Sequence, residues 1–206
     1  MKRGFLEIDV FGSEPYRGNP LAVVLDGEGL STEEMQDFAR WTNFSETTFL
    51  LPPTSPAADY RVRIFTIAHE LPFAGHPTLG TCHAWLSAGG KPKTPGRIVQ
   101  ECGVGNVAIR QKGDRLAFAA PPLKRTGPVA EDLLGKLAKV LGIPRSEIID
   151  SQWVDNGPGW VAVKLKDAAA VLALEPDFGR WESRERLDLG VIGAYPEGSE
   201  CAFEVR

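Results

Sequence analysis

Alternation of apolar and polar residues predicts a series of short strands in the first half of the chain. "FLEIDVF" at residues 5–11 alternates with a period of two, and "LAVVL" at residues 21–25 is a second β candidate after the turn "YRGNP". In "DYRVRIF" at residues 59–65, apolar side chains share one face and arginines the other. Further strand candidates are "TTFLLP", "RIVQEC", "VAIRQ" and "RLAFAA".

Two helices of different character interrupt these strands. The first opens at Ser31, whose hydroxyl can cap the first turn, and Glu34 completes an S-x-x-E capping box. The second is "GHPTLGTCHAWLSAGG", with Pro77 suited to the first helical position and Gly89 to the helix end. A helix that is apolar on most sides is normally buried on most sides. We therefore expect this second helix to be central and wrapped by sheet.

The segment "PPLKRTGP" breaks the periodicity and predicts a domain boundary near residue 120, which separates unit 1–119 from unit 120–206. Beyond it lie an amphipathic helix, "VAEDLLGKLAKVLG", and a second helix candidate, "AAAVLAL". The strand candidates there are "WVAVKLK", "LGVIGAY" and "CAFEVR". This second unit has no counterpart of the apolar helix, and its last strand ends without a turn. Because proteins normally cover such an edge, the pattern predicts an incomplete second unit.

Composition and charge narrow the classes of function. The net charge is −4 with Lys and Arg spread along the sequence, which disfavours nucleic-acid binding because phosphates require a basic stripe. The longest aliphatic run, "LAVVL", is far shorter than the ~20 residues that span a bilayer. Neither a membrane partner nor a targeting segment is expected, which favours a cytoplasmic location. The three cysteines lack the spacing of a disulfide framework or a structural zinc site.

Two residues stand out as candidates for chemistry. Glu46 in "NFSETTF" lies between the capped helix and a strand, where a carboxylate can reach into a cleft, although a solvated turn glutamate is the simpler interpretation. His76 in "ELPFAGHPTLG" lies at the start of the apolar helix, where free N–H groups favour a carboxylate ligand. A histidine with only a capping role is the alternative there.

Three blocks carry a specific resemblance. "DVFGSEPYRGNPLAVVL", "NFSETTFLL" and "RIFTIAHELPFAGHPTLGT" resemble, in order and spacing, the signature segments of the PhzF-like family of phenazine-biosynthesis proteins. The likeness continues more weakly through "DNGPGWVAV" to the C-terminus. It implies an α+β, diaminopimelate-epimerase-like fold. In that fold two similar units each wrap an antiparallel sheet around a central helix, and the active site lies between them.

The resemblance also implies roles for individual residues. It assigns catalysis to Glu46 and His76, and it places Asn19, Ser45 and Gly75 near the substrate. The implied reaction is an isomerisation or epimerisation that moves a proton between carbons of a small carboxylate-bearing metabolite. No metal or organic cofactor is implied, and a homodimer is expected.

The sequence departs from the family pattern at one point. The family's acidic and Thr-Gly-Ser block, which opens a second central helix, has no match up to Arg206. The pattern predicts a chain that stops before its second half-site, so that a further segment or a partner would complete the second unit. A natural truncation, an incomplete record and a binding or structural remnant without catalysis all remain open.

Three other sites compete with this interpretation. A thiol-based racemase would use Cys82 and Cys102, but neither lies at a helix start. A metal site could be built from His69, His76 and His83. Only His76 and His83 could lie on one helix, and their spacing puts them about 10 Å apart along it, too far to share one ion. "GVGNVA" matches the start of a dinucleotide fingerprint, but between two strand candidates rather than before a helix.

Overall fold

The computed structural model describes residues 2–156, 159–183 and 188–206. These residues form two compact units, Met1–Pro121 and Pro122–Arg206. The Gly157-Pro158 turn within "DNGPGWVAV" lies outside the described residues. Within the described ranges, no helix has the length and apolar character needed to cross a bilayer.

The first unit is built on one sheet of eight strands that wraps around a helix. In spatial order the strands run β1-β2-β3-β4-β6-β7-β8, and the short β5 pairs with β4. Their bounds are Phe5–Val10 (β1), Asn19–Val24 (β2), Thr47–Leu51 (β3), Tyr60–Phe65 (β4), Glu70–Leu71 (β5), Arg97–Cys102 (β6), Gly105–Lys112 (β7) and Arg115–Phe118 (β8).

The sheet is mixed, which corrects the expectation of a purely antiparallel one. β2 pairs with β3 in parallel and β4 pairs with β6 in parallel, while the other neighbours are antiparallel. Parallel neighbours need a long crossover. The helix α1 (Thr32–Thr42) lies in the first crossover, and α2 (Gly75–Ser87) lies in the second.

The helix α2 is the predicted central helix. It packs against β1, β2, β3, β6 and β8, and most of its residues are apolar or small. Around it lies a core that includes Leu21, Val23, Leu50, Ile64 and Ile98.

The predicted start of α2 was two residues late. The helix begins at Gly75 rather than Pro77, with Ala74 as its N-cap. Proline is tolerated at this third position because the first four amides of a helix have no intrahelical acceptor. His76 is consequently part of the helix and not of the turn before it.

The predicted capping of α1 is confirmed. Ser31 accepts a hydrogen bond from the Glu34 amide, and the Glu34 carboxylate accepts one from the Ser31 amide. The helix ends at Thr42, and its C-cap Asn43 adopts the left-handed conformation with φ 60°. Its apolar face packs on the side of the sheet opposite α2, where Met35 of the helix lies in one cluster with Phe49 of β3.

The second unit has a sheet of five strands in the order β13-β12-β11-β10-β9. The strands are Arg125–Gly127 (β9), Asp150–Asp155 (β10), Trp160–Lys164 (β11), Asp188–Ala194 (β12) and Phe203–Val205 (β13), and the helices are Glu131–Leu141 (α3) and Ala168–Leu172 (α4). Leu137, Val163 and Val191 lie in the core that joins helices and sheet. That this second unit is incomplete stays a prediction.

Candidate active site

Glu46 occupies the short connection between α1 and β3. It directly precedes Thr47 and Thr48, which are fully buried at the start of β3. Because these buried threonines fix the backbone next to Glu46, they limit the positions of its side chain, which is 18% exposed. The solvated turn glutamate considered from the sequence does not fit this burial.

His76 is the second residue of α2, and its side chain is 10% exposed. Its Nε2 atom lies 3.5 Å from Oε2 of Glu46. Both atoms are buried, and neither has a hydrogen-bond partner among the described residues. Buried polar atoms are normally hydrogen-bonded. Two such atoms that face each other without partners therefore indicate a ligand-binding position.

Asn19 completes this group from the start of β2. Its Nδ2 atom lies 3.3 Å from Nδ1 of His76, on the side of the ring away from Glu46. Ser45 is exposed and precedes Glu46 in the chain, and Gly75 is the first residue of α2. The structure thus brings Asn19, Glu46 and His76 into contact, while Ser45 and Gly75 are their neighbours in sequence.

Burial lowers the pKa of His76, because the charged imidazolium loses hydration in this position. The nearby Glu46 carboxylate opposes this shift without reversing it. His76 is therefore mainly neutral near pH 7, and a neutral imidazole both donates and accepts hydrogen bonds.

Buried hydroxyl and amide groups support the two elements that carry the pair. Thr81 of α2 donates to Thr48 of β3 over 2.8 Å between their Oγ1 atoms. Thr78 Oγ1, in the first turn of α2, donates to the Ala74 carbonyl over 2.9 Å and accepts from Gln100 Nε2 over 3.0 Å. The sequence pattern did not identify these residues. The signal was the presence of two threonines in a helix that is otherwise mostly apolar.

The thiol alternative does not fit the structure. Cys82 is fully buried on α2, and burial raises the pKa of its thiol to about 12. Burial also raises the pKa of Cys102. A nucleophilic or basic cysteine requires a lowered pKa and access to solvent.

The three histidines do not share a metal site. His69 contacts Thr66, His76 contacts Glu46 and Asn19, and His83 is exposed on α2. In the described ranges of the chain, no group of three His, Cys, Asp or Glu residues is arranged to hold a metal ion.

Comparison with known proteins identifies the family. Residues 8–206 match the family model PhzC-PhzF, described as phenazine biosynthesis-like protein. The chain belongs to this family. The resemblance inferred from three sequence blocks is therefore confirmed, and the match extends through both units of the chain.

Two curated relatives of this chain illustrate the relation. The trans-2,3-dihydro-3-hydroxyanthranilate isomerase of Pseudomonas chlororaphis is 40% identical over 177 residues, which cover 84% of this chain and 61% of the relative. Antisense-enhancing sequence 1 of Schizosaccharomyces pombe is 40% identical over 185 residues, which cover 86% of this chain and 62% of the relative. The matched region thus spans less than two thirds of each relative.

Solved structures of the phenazine biosynthesis-like family show the same fold. A protein from Bacillus anthracis aligns with a TM-score of 0.74 at 25% identity and covers 100% of this chain and 72% of that one. One from Enterococcus faecalis aligns with a TM-score of 0.75 at 24% identity and covers 100% and 73%. The predicted α+β, diaminopimelate-epimerase-like fold class is confirmed.

Proposed function

We propose that this protein is a cofactor-independent isomerase that moves a proton between carbons of a small carboxylate-bearing metabolite, with Glu46 as the acid–base group. One observation carries the proposal: two buried and unpartnered polar atoms, Oε2 of Glu46 and Nε2 of His76, face each other over 3.5 Å. The isomerase activity named for the Pseudomonas chlororaphis relative supports the reaction class.

The residue types fit a proton transfer. A carboxylate positioned within hydrogen-bond reach of a C–H group can remove the proton and return it to a neighbouring carbon on the same face. Neutral His76 lies close enough to share a substrate polar group with Glu46, as donor or acceptor. The two side chains would then hold the reacting atoms between them.

The start of α2 offers a position for the substrate carboxylate. Ala74 has no side-chain acceptor for the first-turn amides, and the N-terminal end of a helix carries partial positive charge. A Cβ on Gly75 would contact only Phe118, at 3.5 Å, so packing does not require a glycine here. We infer that the glycine leaves room for a ligand beside the amides of Gly75 and His76.

Asn19 and Ser45 have supporting roles in this proposal. Asn19 fixes the orientation of the His76 ring through the 3.3 Å contact with Nδ1. Ser45 is exposed next to Glu46, where its hydroxyl can hydrogen-bond a substrate polar group.

The test is proton exchange in D₂O, with trans-2,3-dihydro-3-hydroxyanthranilate as the first substrate. Wild-type protein should incorporate deuterium at carbon and form the isomer. Glu46→Gln keeps the shape but cannot accept the proton, so we expect turnover to fall by about 10²–10⁴-fold. Glu33→Gln, at an exposed position of α1, is the matched control and should retain full turnover.

Undiminished turnover in Glu46→Gln would show that this carboxylate is not the acid–base group. Saturable binding of the acid by wild-type protein without any deuterium incorporation would instead support a binding module without catalysis.

A further inference from the structure

The outer face of strands β6, β7 and β8 gathers four basic side chains. In the sheet register Arg97 lies opposite Arg110, and Lys112 lies opposite Arg115. Residues directly opposite each other in an antiparallel pair share a face, and so do residues two apart on one strand. We call Arg97, Arg110, Lys112 and Arg115 the basic patch. All four are exposed.

The basic patch corrects an expectation from the sequence. Its members are separated by up to 18 positions along the chain and interrupted by apolar residues, so the cations looked scattered. Strand pairing brings them together on a protein whose net charge is −4.

Nearby acids do not neutralise the basic patch. Across the described residues, none of its four members has an ion pair or a side-chain hydrogen bond. Glu101, on the same face of β6, accepts hydrogen bonds from Thr54 and Ser55. Asp59 accepts bonds from the amides of Lys93 and Val99.

The turn between β7 and β8 contains one further acidic residue, Asp114. Asp114 borders a separate depression together with Glu7, Asp9 and His83, and Arg115 lies at the boundary between that depression and the basic patch. Arg97, Arg110 and Lys112 do not border it. Like charges directly opposite each other destabilise a sheet, so the arrangement costs stability in the absence of a counter-ion.

A depression of about 460 Å³ lies at the basic patch. Arg97 and Arg110 border it, and so do the small side chains of Ala108, Ala117 and Ala119. This volume is in the range of small-molecule sites, about 300–1,000 Å³.

We propose that the basic patch binds a small molecule with two anionic groups, either phosphoryl or carboxylate. Opposite side chains on neighbouring strands start about 5 Å apart, and side chains two apart on one strand start about 7 Å apart. The basic patch therefore presents two pairs of cations to two anionic groups at that separation. Guanidinium groups bind such oxygens with paired hydrogen bonds, which suits Arg97 and Arg110 as the principal contacts.

Calorimetric titration at low salt with inorganic pyrophosphate and with citrate tests the proposal. Wild-type protein should bind at least one of them saturably, and the affinity should fall as sodium chloride is raised. Preference for pyrophosphate would identify a phosphoryl ligand, and preference for citrate a polycarboxylate; either supports the proposal. The double variant R97Q/R110Q should bind at least tenfold more weakly.

The control variant K136Q/K166Q removes two positive charges from exposed positions of the second unit. It should bind like wild type, and an equal loss in this variant would overturn the proposal. Absence of binding of both anions by wild type at millimolar concentration would also overturn it, as would tighter binding of a single-stranded oligonucleotide than of either anion.

Two further variants separate the role of the guanidinium groups from that of charge, and anion binding from isomerase activity. R97K/R110K keeps the charge and removes the paired hydrogen bonds, so it should show intermediate affinity, and wild-type affinity would contradict the role of the guanidinium groups. Glu46→Gln should leave anion binding unchanged. A failure of the proposed isomerase function is therefore distinguishable from a failure of this site.

Discussion

At the scale of single residues, Glu46 and His76 face each other without forming a hydrogen bond. Their facing atoms are 3.5 Å apart, beyond a good hydrogen bond, and both are withdrawn from solvent. Leaving a buried polar atom without a partner costs about 1–3 kcal/mol. A ligand that inserts polar groups here recovers that cost, which favours binding over collapse of the pair.

The lowered pKa of His76 gives a pH dependence with a defined sign. The unfolded chain binds a proton at this histidine below its ordinary pKa of about 6.5, whereas the folded protein binds it only at lower pH. Since the unfolded state then holds more protons, the free energy of unfolding falls as pH falls through this window. We expect the stability advantage of wild type over His76→Gln to be larger at pH 7.5 than at pH 5.5.

Urea unfolding at the two pH values measures this difference, and an NMR titration of the imidazole measures the pKa directly. His83→Gln, at an exposed position of α2, is the control. A wild-type advantage that grows toward pH 5.5 would mean that the pKa of His76 is raised in the folded protein.

At the scale of elements, α2 is held against the sheet by close backbone approach. A Cβ on Gly80 would lie 2.6 Å from Cδ2 of Leu21 and 2.7 Å from Cγ2 of Val10, both of which are buried. Only glycine allows this approach of the helix to β1 and β2. Because the same helix begins at the candidate site, its position against the sheet also sets the position of His76.

Two helical glycines should respond in opposite ways to alanine. Gly80→Ala gains about 1 kcal/mol of helix propensity but overpacks the core, which costs about 1–3 kcal/mol, so we expect net destabilisation. Gly135 in α3 has no atom within 4 Å of an added Cβ, so Gly135→Ala should stabilise by about 0.5–1 kcal/mol. Urea unfolding followed by circular dichroism tests both, and stabilisation by Gly80→Ala would show that the packing around it relaxes freely.

Sequence pattern predicted the elements well where the apolar pattern was strong. The strands around residues 5–10 and 60–65, the capped α1 and the apolar α2 all follow from alternation, capping chemistry or continuous apolarity. β10 was missed because "DSQWVD" is mostly polar and lacks alternation. The parallel pairings were also missed, since strand direction depends on crossovers that periodicity does not encode.

Sequence motifs named the candidate residues, whose roles stay predictions, but did not give their geometry. The segments around Glu46 and His76 identified the residues, whereas their 3.5 Å separation depends on the pairing of β2 with β3 and on the contact between Thr48 and Thr81. The basic patch shows the same limit, because its members become neighbours only through strand register.

At the scale of the whole molecule, the chain divides between Pro121 and Pro122. Asn19, Glu46 and His76 all belong to the first unit, and so does every member of the basic patch. Each unit has its own apolar core. The candidate site and the basic patch therefore do not require the second unit for their local structure.

We expect residues 1–121 to fold as an isolated fragment. Its ¹H–¹⁵N spectrum should overlay on the corresponding signals of the full chain, with His76 titrating at the same pH. The fragment should also bind pyrophosphate or citrate with the affinity of the full chain. A collapsed spectrum without dispersed signals would show that the first unit depends on the second for its stability.

The placement of α2 between its covering strands has a consequence for synthesis. β1, β2 and β3 precede the helix in the chain, whereas β6 and β8 follow it. On the ribosome the helix can be covered on one side as it emerges, but the other side waits until Phe118 has been added. At about 5–20 residues per second this interval lasts on the order of seconds. The position of β6 and β8 in the sequence thus sets the period in which a nascent chain exposes this largely apolar helix and needs protection from aggregation.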